Sequence, residues 1–381
     1  MDDSYSLLRG GPAFRLTRAV GLHREGVPTA LLLTFALLLI VLVPMVVATA
    51  AKGTLTGGVQ IPLFSDPTVI ARFLIAMPLL VLAAPAADER IWHTVQRLRN
   101  MVAPEAQERF DAVLQRLRGW RDANLPEIGL FVLAVAGSFL AQPLGLHDAV
   151  SDWRTEGQGL SLAGQWLVWV GMPVFRFLNL LWLWRLGLWV FLLWQYARME
   201  LSLHAAHPDG RGGLAFLGYA QRAFAVLALV GGLLLAGSCV EQVLYYGATL
   251  GSLKFLMGGY VVLVMVLLVA PLLLLSRQLL MLKQAGLLTY GALGTDCSER
   301  FEEKWLGRTR GAGAPILEAG DSSALTDLTG VYGTVNGMSV VPFDRNLLIS
   351  LTVAAASPLL AVVLVSTSVD EIITKLLSIL V

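Results

Sequence analysis

Seven apolar runs punctuate the chain, at residues 29–50, 68–86, 127–143, 162–196, 219–245, 254–276 and 347–365. Each reaches or approaches the roughly 18 residues that a helix needs to cross a bilayer. None alternates apolar and polar positions at the two-residue period of a barrel strand. The pattern predicts an all-α polytopic helical membrane bundle of about seven transmembrane helices. The fourth run, 35 residues long, is too long for one perpendicular crossing. At about 1.5 Å per residue it reaches about 52 Å, against a hydrocarbon core of about 30 Å. Two shapes fit: one helix kinked at Pro173, or an interfacial segment at 162–172 followed by a span.

The polar stretches carry a helical period of their own. In 87–126, Ile91, Val95, Leu98 and Val102 form one stripe, and Phe110, Val113, Leu114 and Leu117 form a second. Both have the spacing of an amphipathic helix, and Pro104 suits a helix's first turn. An amphipathic helical hairpin is expected there. Residues 277–346 form a loop subdomain that begins as a continuation of the sixth span, with Asp321-Ser322-Ser323 as a helix cap. The tail 367–381 places Ile372, Ile373, Leu376, Leu377 and Leu380 on one face and is expected to lie at the interface.

Composition agrees with the pattern. Only 14% of the 381 residues are charged, where a soluble domain carries roughly 25%. A net charge of +1 gives no sign of nucleic-acid binding. Cys239 and Cys297 are too few for a disulfide framework. Basic residues alternate strictly along the polar segments: 4, 1, 7, 1, 2, 1, 7 and 1 from N- to C-terminus. Positive charge stays on the cytoplasmic side, so the N-terminus is expected inside and the C-terminus outside. The first run is longer than a signal peptide's apolar core and is read as an uncleaved span, although Ala48-Thr49-Ala50 resembles a cleavage site.

Charges inside the runs carry the candidate chemistry. Arg72, Arg176, Arg185 and Arg222 are the basic residues there, and Glu241 is the acid. An arginine near the bilayer centre costs at least about 2.5 kcal/mol, so it should face protein, water or a counter-charge. Arg222 and Arg72 lie near span ends, where snorkelling suffices. Arg176 and Arg185 fall on opposite faces of a regular helix, and Arg176 shares a face with Asn179. Glu241 is the expected partner of Arg176, either as a static clamp or as part of a pathway for an ion or small anion. The tryptophans crowding the fourth run suit packing and lipid contact.

The stretch "HAAHPDGRGGLAFL" at 204–217 supports three readings. On a helix, Glu200, His204 and His207 share a face and Asp209 follows, a ligand set for a divalent metal. Gly210, Arg211, Gly212 and Gly213 form a flexible turn whose amides suit an anion. The plainest reading is a corner in which Pro208 stops one helix and the glycines admit the next.

"HPDGRGGLAFL" and "LTDLTGVYGTVNGMSVVPF" resemble segments of a group of bacterial multi-spanning membrane proteins with no assigned activity. That group shows His-Pro-Asp-x-x-Gly-Gly-Leu and Met-x-x-Val-Pro-Phe. The likeness covers mainly the chain from about residue 195; Thr326 stands where the group tends to have alanine. It implies a bacterial inner membrane and no mechanism. The expectation is a multi-pass transporter or channel-like protein for an ion or small anion. The alternatives are a scaffold or sensor subunit with a cytoplasmic protein partner, and a metal-dependent membrane enzyme. No resident cofactor is expected. Contact with anionic lipid headgroups and homo-oligomerisation are.

Overall fold

The computed structural model describes residues 28–140, 150–157, 159–306 and 320–366; the expected tail helix at 367–381 lies outside the described residues. Ten helices account for nearly all of them: α1 (Pro28–Ala51), α2 (Pro67–Asn100), α3 (Pro104–Asp122), α4 (Asn124–Leu140), α5 (Leu162–Tyr196), α6 (Phe216–Tyr246), α7 (Leu250–Leu273), α8 (Ser276–Trp305), α9 (Asp321–Asn336) and α10 (Arg345–Ser366). A two-residue hairpin, β1 (Thr155–Glu156) with β2 (Gly159–Leu160), precedes α5. Six helices, α1, α2, α5, α6, α7 and α10, are long and apolar enough to cross a membrane. The pair α3–α4, bent by 46°, supplies a seventh crossing if counted as one span. The chain is an all-α polytopic bundle. Phe35, Val47, Phe255, Val262 and Leu263 point outward from it, as lipid-facing side chains do.

α6 is the centre, packed against α2, α7 and α10. Its glycines permit close backbone approach, the usual device where helices meet in lipid. A Cβ on Gly237 would stand 2.9 Å from Ala71 Cβ and 3.0 Å from the Pro67 carbonyl. One on Gly232 would stand 2.5 Å from the Ala355 carbonyl. Inside the bundle, polar groups are paired across helices. Trp189 Nε1 donates to Gln221 Oε1 (2.9 Å), and Gln221 Nε2 donates to the Leu268 carbonyl (2.6 Å). This clamp joins α5, α6 and α7 through the fully buried Gln221.

The 35 residues of the fourth run form one continuous helix, α5. Ser161 caps it by accepting from Gly164 N at 3.0 Å. The strain before Pro173 is taken up by a π turn at Leu167–Gly171. A second π segment, Ile70–Ala76, lies in α2 and carries Arg72. The two meet, because Gly171 leaves room for the Phe73 ring, 3.2 Å from where its Cβ would be.

Both amphipathic stripes of 87–126 are buried. The first arm is not a separate helix, however: α2 runs on through it to Asn100. The second arm, α3, packs beneath α5 with Phe110 edge-on to Tyr196. Residues 276–305 and 321–336 form a long helical hairpin, α8 with α9. Asp321 does not cap α9, since it lies in the first turn and ties to Lys304 and Trp305 of α8.

Candidate functional site

The first turn of α2 begins at Asp66-Pro67. Asp66 is the N-cap and Pro67 takes the N1 position, where its missing N–H costs nothing. Asp66 Oδ1 accepts from Thr68 N (2.9 Å), Thr68 Oγ1 (2.7 Å) and Val69 N (3.2 Å). Oδ2 accepts from Trp153 Nε1 (2.9 Å) and Arg154 Nη2 (2.6 Å). The carboxylate is wholly buried. Burial alone pushes its carboxyl up; Arg154, Thr68 and Trp153 outweigh that and hold it below the ordinary carboxylate value.

Arg154 has a second acid. Its Nη2 also lies 2.9 Å from Glu241 Oε1, and Asp152 Oδ2 stands 3.6 Å from its Nε. Burial disfavours the charged guanidinium, but Asp66, Glu241 and Asp152 together hold it above its ordinary value. The loop 150–161 is thereby tied to the start of α2 and the end of α6. Sequence reasoning missed Asp66, Asp152 and Arg154. Asp66-Pro67 is a legible helix start, but nothing local says that Arg154, 88 positions away, returns to it.

The expected Arg176–Glu241 pair does not form. Glu241 is held by Arg154. Arg176 turns the other way, lies over Gly137 of α4 and donates Nη1 to Ser138 Oγ at 2.9 Å. Asn179, on the same face, spends its amide on the Phe175 carbonyl of its own helix (2.9 Å). Arg185 lies in the field of Asp88 from α2 and Glu127 from α4, both buried, and its guanidinium sits near the Trp182 ring. These two acids, at a span end and a span start, were also unread.

Arg72 differs from the others. Its guanidinium lies 6.0 Å from the ring centroids of both Phe73 and Phe175. It makes no hydrogen bond to a described residue. Arg154, Asp66, Arg176 and Glu241 surround it within electrostatic reach, but those acids are already engaged by Arg154.

At the opposite end of the bundle, the metal reading fails on geometry. α5 ends at Tyr196, so Glu200, His204 and His207 lie on no helix and share no helical face. The chain here is pinned instead to the end of α2, where Ala103 N donates to the Glu200 carbonyl and Ser202 N to the Met101 carbonyl. Among the described residues, no three His, Cys, Asp or Glu side chains are grouped to hold a metal ion. For the same reason Pro208 stops no helix.

The anion-turn reading is also corrected. The amides of Arg211 (2.8 Å), Gly213 (3.0 Å) and Ala215 (3.0 Å) all donate to the carboxylate of Asp209. The turn's anion is its own side chain. Burial pushes the Asp209 carboxyl up, while the Ala215, Arg211 and Gly213 amides and His207 hold it below its ordinary value. Gly210, Gly212 and Gly213 all have positive φ, the conformation glycine adopts without strain. The guanidinium of Arg211 binds the Phe343 carbonyl at 3.0 Å, and Ser339 N donates to the Gly210 carbonyl at 2.8 Å. The segments 207–217 and 325–343 thus lock onto each other. Near this end Arg90, Arg97 and Arg198 stack on Tyr219, Phe216 and Trp194.

Comparison of the chain with protein-family models, curated proteins and solved structures finds no match.

Proposed function

We propose that the chain is a multi-pass protein of a bacterial cytoplasmic membrane that binds a small anion at Arg72 and passes it across the bilayer. Alternation of basic residues supports an orientation with the Arg154 end outside and the Asp209 end at the cytoplasm. The observation that carries the reading is Arg72. It is an intramembrane guanidinium on a π segment, without a hydrogen bond to a described residue, in the field of the ion-pair cluster of Asp66, Arg154 and Glu241. Such a cation in lipid needs a counter-charge, and π segments recur at functional sites. Arg176 adds positive field at the same level. The arginines stacked on aromatic rings at the other end suit contact with anionic headgroups.

Liposome flux across chloride, nitrate, sulfate and phosphate tests it. Wild type moves at least one of them, and Arg72→Ala slows that flux roughly tenfold, the effect of losing one charged contact. Background flux of all four in wild type removes the reading.

A scaffold role is favoured by one separate observation. The α8–α9 hairpin buries only Leu279, Gly286 and Val335, and holds an open groove of about 560 Å³ lined by Tyr290, Glu299, Glu302 and Tyr332. Photocrosslinking from Tyr332 in native membranes tests this role. A discrete protein adduct carries it, and its absence removes it.

A further inference from the structure

Two acids share Arg154, and they are held very differently. Five donors fill the two oxygens of Asp66. Releasing Arg154 from it would still leave a buried carboxylate bound to its helix cap. Among the described residues, the Glu241 carboxylate has one hydrogen bond, from Arg154 Nη2 to Oε1. Its other oxygen makes none to a described residue. The Glu241 contact is therefore the one that can break. Arg154 also has an unspent donor: Nε faces the Asp152 carboxylate, 3.6 Å away, but Nη1 makes no hydrogen bond to a described residue. Arg72 lies within electrostatic reach. Arg154 Nη1 and the Arg72 guanidinium, neither bonded to a described residue, thus lie in one electrostatic site with a single loosely held carboxylate.

Resting on the anion reading, we propose that Glu241 couples anion passage to protons, carrying one proton with each monovalent anion. The anion docks on Arg154 Nη1 and the Arg72 guanidinium and takes over the Nη2 donor that Glu241 held. Glu241, stripped of its cation, is a carboxylate without compensation in a low-dielectric wall, and such a group takes a proton. The step balances. One proton from water forms an O–H bond on Glu241, one hydrogen bond passes from carboxylate to anion, and no covalent bond of the protein breaks. The anion supplies the negative charge that Glu241 gives up, so the net charge of the site is constant and transport is electroneutral. The groups facing Glu241 are Arg154 and Asp152 from the loop, Asp66 and Arg72 from α2, and Tyr245 and Tyr246 from its own helix. Asp66 and Asp152 remain with Arg154 throughout. Trp153, bound to Asp66, keeps the loop in place while the Glu241 arm moves.

The experiment uses the full chain in proteoliposomes, with chloride or nitrate as probe, whichever wild type moves faster. The membrane potential is clamped at zero. Flux is read with the two sides at equal pH and again with the outside more acid. Wild type is expected to accumulate the anion towards about tenfold per pH unit, and a lumenal pH dye should report one proton per anion. Glu241→Gln, neutral at every pH, is expected to move the anion down its own gradient and ignore the proton gradient. Glu241→Asp keeps an ionisable arm and should keep the response, which separates coupling from mere packing at this position. Wild-type flux indifferent to the proton gradient overturns the coupling and leaves the anion reading standing. Absence of flux with either probe at either pH overturns the coupling together with any role of Arg72 in passing them.

Discussion

Arg154 Nη2 lies 2.6 Å from Asp66 Oδ2, and through this contact a loop preceding α5 closes over the first turn of α2. Asp66 is fully buried and Arg154 is half-buried. Breaking one side of a buried pair leaves the other charge uncompensated, at about 3–5 kcal/mol. Asp66→Ala and Arg154→Ala should each lower thermal stability in detergent by that order. The double variant should lose less than the sum of the two, because neither charge is then stranded. Simple additivity would show that the two do not interact.

The same pair makes stability depend on acid. The folded Asp66 carboxyl lies below its ordinary value, so the unfolded chain binds the proton more readily. The contribution is complete above the unfolded value, about 4, and is lost as pH falls through the lower folded value. Asp209, also depressed, adds to the slope with the same sign. Melting temperature should be flat from neutral to weakly acid pH and drop below about pH 4. In Asp66→Ala and Asp209→Ala the drop should be shallower.

Asp209 replaces three amide partners with one side chain, so Asp209→Ala strands the Arg211, Gly213 and Ala215 N–H groups at about 1–3 kcal/mol. Gly213→Ala acts on the same turn by a different route. Its φ is +99°, and the added Cβ would stand 2.8 Å from Met101 Cε. Both variants should expose the 198–215 segment to limited proteolysis, while Gly210→Ala, with open space around its Cβ, should do so less.

Trp166 Nε1 donates to the Ile40 carbonyl at 3.1 Å. That carbonyl has no helical donor, because the residue four positions on is Pro44, which lacks an N–H. Trp166→Phe should cost about 1 kcal/mol in the wild-type background and much less in Pro44→Ala, where the helix supplies its own donor. A double-mutant cycle of melting temperatures reads the coupling; equal costs in both backgrounds would sink this account.

Gln221→Leu keeps volume but leaves the Trp189 indole N–H buried without an acceptor. The expected loss is about 1–3 kcal/mol, seen as an earlier melt. Trp189→Phe in the same chain should recover part of it, since the stranded donor is then gone.

Much of the fold is legible along the chain because a membrane helix is a local object. Its length follows from bilayer thickness, and its backbone bonds are all internal. Six of the apolar runs reappear as helices long enough to cross, the third is the α4 arm of the bent α3–α4 pair, and the two stripes at Ile91–Val102 and Phe110–Leu117 are buried in place. The site was less legible. Arg176 and Glu241 are the conspicuous charges of their spans, yet each is satisfied elsewhere, by Ser138 and Arg154. A charge in lipid must find a partner, but sequence spacing does not say which helix faces which. The spacing of Glu200, His204 and His207 suggested a helix because i, i+4 and i+7 match its period. Their segment instead pairs with Met101–Ala103 and runs into a turn whose Arg211 and Gly213 amides the Asp209 carboxylate takes.

The sequence by itself determined the class: an all-α bundle with spans at stated places, costly arginines within them and a Gly-rich corner after the fourth. Hydrophobicity, helical period and backbone self-sufficiency are summed over neighbouring residues, so one dimension holds them. Only the tertiary structure decided that Asp66, Arg154 and Glu241 form one cluster, that Arg72 is left over in its field, and that Asp209 answers its own turn. Those outcomes depend on pairings between residues tens of positions apart, fixed by which helix packs on α6 and where its glycines let a neighbour approach.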